Sequence, residues 1–225
     1  MANQFNQYTS TAVQTQESVL ATNTVIRNTY ILLSLTLLFS ACTAAFAVAT
    51  NAPNLGLLTL IGYFGLLFAT QATRNSGLGI VCVFALTGFM GYTLGPLLNA
   101  FLQMQNGGQL IMTALGGTGV IFLALSAYAL TTRSNFSYMG GFMMAASLVL
   151  LVGIVANLFL KLAMLQLFIT GGFMIFSSAM ILYETSNIIH GGERNYIMAT
   201  VSLYLAIYNL FISLLQILSI FSNRE

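Results

Sequence analysis

Charged side chains are scarce in this sequence. Only 4% of its 225 residues are Asp, Glu, Lys or Arg, and 58% are hydrophobic. A soluble domain carries about 25% charged residues. This chain has too few charged residues for most of its surface to face water. The composition therefore excludes an ordinary soluble domain and indicates a membrane protein whose surface is mostly covered by lipid.

Aspartate and tryptophan are absent, and the chain has one histidine and two cysteines. Cys42 and Cys82 lie singly inside apolar runs, without the spacing of metal ligands. One histidine without any aspartate cannot supply a hydrolase triad or a zinc-protease ligand set. The net charge of +2 is small and dispersed, which argues against nucleic acid as a partner. We therefore expect no cofactor, no metal site and no enzymatic activity.

Long, continuous apolar runs are what the sequence does contain. Strand-type alternation is missing, which excludes an outer-membrane barrel and leaves a helical bundle. At about 20 residues per crossing, the runs predict one all-α domain of seven transmembrane helices over residues 28–221. The predicted spans are 28–50, 54–73, 77–101, 109–131, 138–160, 162–183 and 197–221.

The polar segment 1–27 carries few charges and is predicted to be a flexible tail. Arginines in this tail and in the loops after spans two, four and six would share one side of the membrane: Arg27, Arg74, Arg133 and Arg194. Lys161 and Arg224 would lie on the other side. Because positive residues collect in cytoplasmic loops, we expect a cytoplasmic N-terminus and an external C-terminus.

Glycines in the third predicted span indicate close helix packing. Gly91 and Gly95 have the GxxxG spacing of small residues that let two membrane helices approach each other. The Gly95-Pro96 pair also predicts that this helix kinks or ends nearby, because proline removes a backbone donor.

Glu184 is the first candidate functional residue, at the end of the sixth apolar run. An acidic side chain near hydrocarbon is costly unless it is paired, protonated or facing water. It is therefore a candidate gate or pH sensor. The structural alternative is an interfacial glutamate that reaches the lipid headgroups.

The seventh span carries a stripe of small and polar residues at intervals of four, three, four and three. They are Ser202, Ala206, Asn209, Ser213 and Gln216. This spacing places them on one helical face, which should face the bundle interior rather than lipid. The last helix is therefore expected to lie centrally. Two roles stay open: hydrogen bonding between helices, or a water-filled path.

His190 lies in the sequence His190-Gly191-Gly192-Glu193-Arg194, between the last two spans. Histidine changes charge near neutral pH, so His190 is a candidate pH sensor. A loop histidine that is simply solvated is the alternative, and structural roles are favoured for Glu193 and Arg194.

Several separated motifs resemble the Bax inhibitor-1 family in one order along the chain. The C-terminal pair is LYETSNIIHGG (182–192) and NYIMATVSLYLAIYNLFISLL (195–215). Upstream are RNTYILLSLTLLFSA (27–41), TGFMGYTLGPLLN (87–99) and ALGGTG (114–119). The resemblance covers nearly the whole chain after the tail, and it implies a seven-helix bundle with the last helix at its centre.

Leak-type members of that family pass calcium across membranes, and paired aspartates on their sixth and seventh helices form a pH-sensitive latch. The sixth-helix position corresponds here to Glu184. The seventh-helix position falls within LYLAIYN, where this chain has Ala206. A calcium or proton-gated cation leak through Glu184 is thus an alternative function, with its second carboxylate missing.

The resemblance is closest to the bacterial YccA-type branch, which implies a different function. Such proteins bind and restrain the FtsH protease, a membrane-anchored ATP-dependent enzyme, and are also its substrates. The resemblance thus implies a multi-pass protein of the bacterial inner membrane with a periplasmic C-terminus. Its expected partners are this protease, the protease's membrane regulators and the lipid bilayer. The uncharged tail suits a cytoplasmic segment that a processive protease can grip.

Overall fold

The computed structural model describes the backbone of residues 2–222 and the side chains of residues 22–222. This part of the chain forms seven α-helices and no strand, which confirms the all-α fold class. The helices are α1 (Ala2–Ala49), α2 (Leu57–Thr73), α3 (Gly77–Leu102), α4 (Gly107–Thr132), α5 (Met139–Leu160), α6 (Ala163–Ile189) and α7 (Tyr196–Ser222). Most bounds lie within a few residues of the predicted spans.

Six of these helices within residues 22–222 are long and apolar enough to cross a membrane: the Thr22–Ala49 part of α1, and α3 to α7. Helix α2 is apolar but has only 17 residues. At 1.5 Å per residue it measures about 25 Å, slightly less than the roughly 30 Å hydrocarbon core of a bilayer. By length and composition, six helices of the described part of the chain can therefore span a membrane.

The predicted tail lies mostly outside the residues whose side chains are described. Residues 22–27, which the sequence assigned to that tail, are helical and belong to the same apolar segment as Ala49. Residues 2–21 form the first part of α1, and the flexibility of this segment stays a prediction.

Helix α7 packs against α1, α3, α4 and α6. Its buried side chains include Leu203, Tyr204, Leu210 and Leu215, each at most 1% exposed. Helix α5 packs on α6 and presents exposed apolar residues such as Val149 and Leu158 outward. An apolar outer surface of this kind suits lipid rather than water.

Helices α1 and α3 form a close pair, and the GxxxG prediction is confirmed. A side-chain carbon at Gly91 would collide with the backbone of Ser40 and the hydroxyl of Thr43, and one at Gly95 would collide with Ala47. The two glycines thus allow α1 to approach the backbone of α3.

A kink or an end of the third helix is predicted at Gly95-Pro96, and the end is wrong, because α3 continues to Leu102. Membrane helices tolerate proline when neighbouring groups satisfy the freed carbonyl or the helix adjusts locally.

The turn between α5 and α6 is tight, since only residues 161 and 162 separate the two helices. Lys161 adopts a left-handed conformation with φ of 50°. Its backbone N–H donates to the Asn157 carbonyl at 2.8 Å, and the N–H of Leu162 donates to the Asn157 side chain at 3.1 Å. Asn157 therefore caps α5.

Candidate functional site

Glu184 lies inside α6 rather than at its end. The helix runs to Ile189 instead of ending near residue 183, so more than one turn follows Glu184. The side chain is 7% exposed. Glu184 is therefore buried in the structure. This placement does not fit the alternative of an interfacial glutamate that reaches the lipid headgroups.

The Glu184 carboxyl group interacts with polar partners from two helices. Ser202 of α7 and Asn187 of α6 interact with it by side-chain hydrogen bonding, and Glu193 of the following loop is close enough to act on it electrostatically. An acid of the α6–α7 loop therefore acts on Glu184, although α7 itself carries none. Sequence spacing gave no indication of this approach, because Glu193 lies beyond the end of the helix.

Ala206, at the position expected to carry a second acid, belongs to an apolar layer. It clusters with Ile181 of α6 and Leu210 of α7, and Phe122 and Leu125 of α4 pack against them. Ala206 is 4% exposed, and Ile181 and Leu210 are fully buried. A carboxylate at position 206 would be placed among these apolar side chains, which is costly.

The remaining stripe residues, Asn209, Ser213 and Gln216, line a cavity of about 250 Å³ between α5, α6 and α7. Its other polar lining residues are Asn157, Gln166 and Thr170. We call this space the amide cavity. Its lining contains no charged side chain.

The predicted stripe therefore faces α6 along its whole length but does not form one continuous polar path. Ser202 meets Glu184 near the start of α7, and the amide cavity lies along its later turns. The apolar layer of Ile181, Ala206 and Leu210 separates these two polar regions.

His190 follows the last residue of α6 and is exposed. Its Nδ1 lies 2.8 Å from the Ser186 carbonyl oxygen, and its Nε2 lies 3.1 Å from the Arg133 carbonyl oxygen. The Ser186 hydroxyl also donates to the Ser134 carbonyl at 3.0 Å and accepts from the Phe136 N–H at 2.9 Å. The α4–α5 loop is thus held against the end of α6.

Asn195 holds the α2–α3 loop against the start of α7, and its pattern in the sequence did not single it out. Its side-chain oxygen accepts from the N–H groups of Ile197 and Met198 at the start of α7. Its amide nitrogen donates to the Arg74 carbonyl at 2.9 Å and to Asn75 at 3.0 Å. An Asn just before a helix can be recognised from the sequence as a helix cap. Its hydrogen bond to the α2–α3 loop cannot be recognised from the sequence.

These contacts unite three loops at one end of the molecule, which we call the arginine end. It includes Arg74, Arg133, His190, Glu193 and Arg194. A cavity of about 650 Å³ lies here, between the loop before α7, the end of α4 and residues 22–26 of α1.

Tyr204 is a second residue that sequence analysis missed. It is 1% exposed, and its hydroxyl donates to the Thr87 carbonyl of α3 at 3.2 Å. The Ser40 hydroxyl of α1 lies 2.7 Å from the same oxygen. Because the tyrosine has only one hydroxyl proton, Ser40 donates to Tyr204. The residue therefore connects α1, α3 and α7.

Within residues 22–222, no group of three His, Cys, Asp or Glu side chains is arranged to hold a metal ion. The fold and these polar regions define a polytopic helical membrane protein with two separated polar regions along its last helix. The chain belongs to the Bax inhibitor-1 family, since the family described as inhibitor of apoptosis-promoting Bax1 matches residues 22–223.

Individual relatives extend this assignment. The chain is 54% identical over 209 residues to a protein of Escherichia coli K12 named modulator of FtsH protease YccA, covering 92% of this chain and 94% of that protein. The same figures hold for a protein of Escherichia coli O6:H1 named inner membrane protein YccA. An uncharacterized protein of Pseudomonas aeruginosa is 56% identical over 197 residues, covering 87% and 89% of the two chains. None of these names is that of an enzyme.

Proposed function

We propose that this chain is a protein of the bacterial inner membrane that binds and restrains an FtsH-type membrane protease. The observation that carries the proposal is its 54% identity over 92% of the chain to a relative named modulator of FtsH protease. The proposal gives the chain no catalytic role. The protease's membrane regulators are further expected partners.

The arginine end is the surface that we infer to contact the protease. Three loops meet there, and hydrogen bonds from Asn195, Ser186 and His190 hold them together. A surface that is already ordered loses less conformational entropy on binding than a set of mobile loops would. Its exposed arginines, including Arg74, Arg133 and Arg194, suit an acidic patch on the partner.

We further propose seven crossings, with α7 central and the arginine end in the cytoplasm. Two contacts support a crossing by α2. Asn99 of α3 lies 3.5 Å from Asn51, just after α1, whereas Asn195 bonds to Arg74, just after α2. Helix α2 therefore runs from one end of the bundle to the other. The four-arginine bias of that end favours the cytoplasm.

The tail is proposed to make the chain a substrate of the same protease. Residues 1–20 contain a single charge, Glu17, and are rich in Gln, Asn, Thr and Ser. A polar segment without a packed core is easily gripped and unfolded.

Restraint of the protease is tested by reconstituting it with this chain in liposomes and measuring degradation of a model membrane substrate. We expect wild-type chain to slow degradation. The triple variant Arg74→Gln, Arg133→Gln, Arg194→Gln should weaken inhibition by about tenfold, because rim charges speed association. Lys161→Gln, at the opposite end, is the matched control. Undiminished degradation at saturating wild-type chain refutes the proposal.

The substrate role has its own test, the half-life of the chain in cells with and without the protease. Deletion of residues 2–20 should lengthen the half-life only where the protease is present. A tail of the same composition in shuffled order is the control and should restore turnover. An unchanged half-life after deletion would show that the tail is not the segment that is gripped.

A second candidate function is a cation leak, of calcium or another ion, gated by Glu184. The observation that favours it is the buried Glu184, which interacts with Ser202 of the polar stripe. The apolar layer at Ala206 would then be the closed barrier, and opening requires it to move. This reading ranks second because no acid stands on α7.

The leak is tested with wild-type chain, Glu184→Gln and the control Glu17→Gln, in the predicted tail, in liposomes loaded with a calcium dye. Gating by Glu184 predicts that Glu184→Gln changes the flux or its pH dependence more than the control does. Wild-type flux equal to that of empty liposomes, at acid and at neutral pH, excludes the leak.

A further inference from the structure

The amide cavity contains polar groups that the protein itself leaves unsatisfied. Two pairs are bonded: Asn157 donates to Gln166 at 2.7 Å, and Thr170 donates to Gln216 at 3.0 Å. Asn209 and Ser213 line the same space, and neither side chain has a hydrogen-bond partner among residues 22–222. Ser213 is only 4% exposed.

Such groups are not stable at membrane depth without a partner. Hydrocarbon offers no hydrogen bonds, so an unbonded amide or hydroxyl there is strongly disfavoured. For Asn209 and Ser213, a molecule that enters the cavity can supply this partner. A volume of 250 Å³ holds about eight water molecules at their liquid volume.

The chemistry of the lining defines what can enter. Every polar group in it is an amide or a hydroxyl, and both kinds of group donate and accept hydrogen bonds. No carboxylate is present to hold a divalent cation, and no cationic side chain is present to hold an anion. The lining therefore suits small neutral molecules.

We propose that the amide cavity is a binding site for small, uncharged, hydrogen-bonding solutes, with water as its ordinary occupant. It opens at the Lys161 end, since Asn157 belongs to the last turn of α5 and Gln166 to the first turns of α6. From Gln216 to Asn209 it extends about 10 Å along α7. The layer of Ile181, Ala206 and Leu210 closes its inner end.

The proposed site is a cavity with one opening. This proposal does not depend on whether the chain restrains a protease, because it is argued from the lining of the cavity alone. It also differs from a leak, because a solute can fill it from the Lys161 end without crossing the apolar layer.

The test is thiol accessibility in proteoliposomes, with Cys42 and Cys82 replaced by Ala. Single cysteines are placed at Asn209, Ser213, Leu210 and Lys161, and a small neutral maleimide is added from the Lys161 side. We expect Ser213→Cys and Asn209→Cys to react about tenfold faster than Leu210→Cys, because the reactive thiolate forms only in contact with water. Lys161→Cys reports the freely accessible rate.

Two further readouts separate a hydrated site from a solute-binding one. Acetamide should slow labelling of Ser213→Cys but leave Lys161→Cys unchanged, and a sulfonate-bearing reagent should label Ser213→Cys more slowly than the neutral maleimide does. Rates at positions 209 and 213 as low as at 210 overturn the whole proposal. Labelling that acetamide does not slow overturns the solute-binding part and leaves a hydrated cavity.

A variant that keeps the fold gives an independent check. Ser213→Ala removes the unpartnered hydroxyl while changing little else. If water satisfies that hydroxyl, the melting temperature should stay the same or fall. A clear rise would mean that the hydroxyl is dry and unsatisfied in the wild-type chain, which contradicts the proposal.

Discussion

At the scale of single residues, Tyr204 is the polar side chain whose removal should cost most stability. Tyr204→Phe keeps the ring but leaves the Thr87 carbonyl and the Ser40 hydroxyl without this partner. Hydrogen bonds between membrane helices contribute about 0.6 kcal/mol on average. Loss of two bonds at a buried position should therefore lower the free energy of unfolding by about 1–2 kcal/mol.

The measurement is chemical unfolding of the purified chain in detergent micelles. Tyr138→Phe is the matched control, because Tyr138 is 78% exposed. Equal stability of Tyr204→Phe and Tyr138→Phe would show that the buried network contributes nothing.

His190 leads to a prediction about the α4–α5 loop, since its two ring nitrogens face the carbonyl oxygens of Ser186 and Arg133. His190→Ala removes both contacts, so this loop should be held less firmly against the end of α6.

The measurement is hydrogen exchange of residues 133–136 at a single pH. Protection should be lower in His190→Ala than in the wild-type chain. Equal protection in the two proteins would show that His190 does not hold this loop.

At the scale of elements, the close pair of α1 and α3 depends on the absence of a side chain at Gly91. In Gly91→Leu the new side chain meets the Ser40 backbone, which cannot move away without separating the helices. Overpacking of this kind costs about 1–3 kcal/mol.

Gly119→Leu is the matched control, because nothing lies within 4 Å of a side-chain carbon added there. Thermal unfolding in micelles should show a lower melting temperature for Gly91→Leu than for Gly119→Leu. The reverse order would mean that α1 and α3 do not make this contact in the membrane.

Helix α6 shows where reading apolar runs fails. The apolar run of the sequence ends near Glu184, but the helix continues through Glu184-Thr185-Ser186-Asn187 to Ile189. These four residues look like the end of a span, but Glu184, Thr185 and Ser186 are all buried. Their tertiary partners are Tyr30 of α1 for Thr185, Ser202 of α7 for Glu184 and the α4–α5 loop for Ser186, and sequence alone does not show these contacts.

At the scale of the whole molecule, the arginine end predicts the orientation in the membrane. Lys161→Cys and Arg194→Cys lie at opposite ends of the bundle. In a background with Cys42 and Cys82 replaced by Ala, a membrane-impermeant thiol reagent should label Lys161→Cys in cells whose inner membrane is intact. Arg194→Cys should be labelled only after that membrane is permeabilised, because positive residues collect in the cytoplasm.

Three outcomes are informative. Labelling of Arg194→Cys alone would invert the orientation and move the proposed protease contact to the outside. Labelling of both positions in intact cells would place the two loops on one side and contradict a crossing by α6. Labelling of neither would contradict exposure of the α5–α6 turn on the outside.

The sequence by itself determined the class of this protein and the positions of its helices. Hydrophobicity acts over runs of about 20 residues, so local composition is enough to place a span. It also determined close packing at Gly91 and the shared face of the stripe on α7, because both follow from helical periodicity.

Only the tertiary structure decided what that stripe contacts. Ser202 meets Glu184, Ala206 lies in an apolar layer, and Asn209 and Ser213 open into a cavity. The approach of Glu193 to Glu184 and the bond of Asn195 to Arg74 likewise join distant or non-helical segments. The physical reason is that polar groups in a membrane bond to whichever helix or loop packs beside them. The periodicity of one helix does not determine which segment that is.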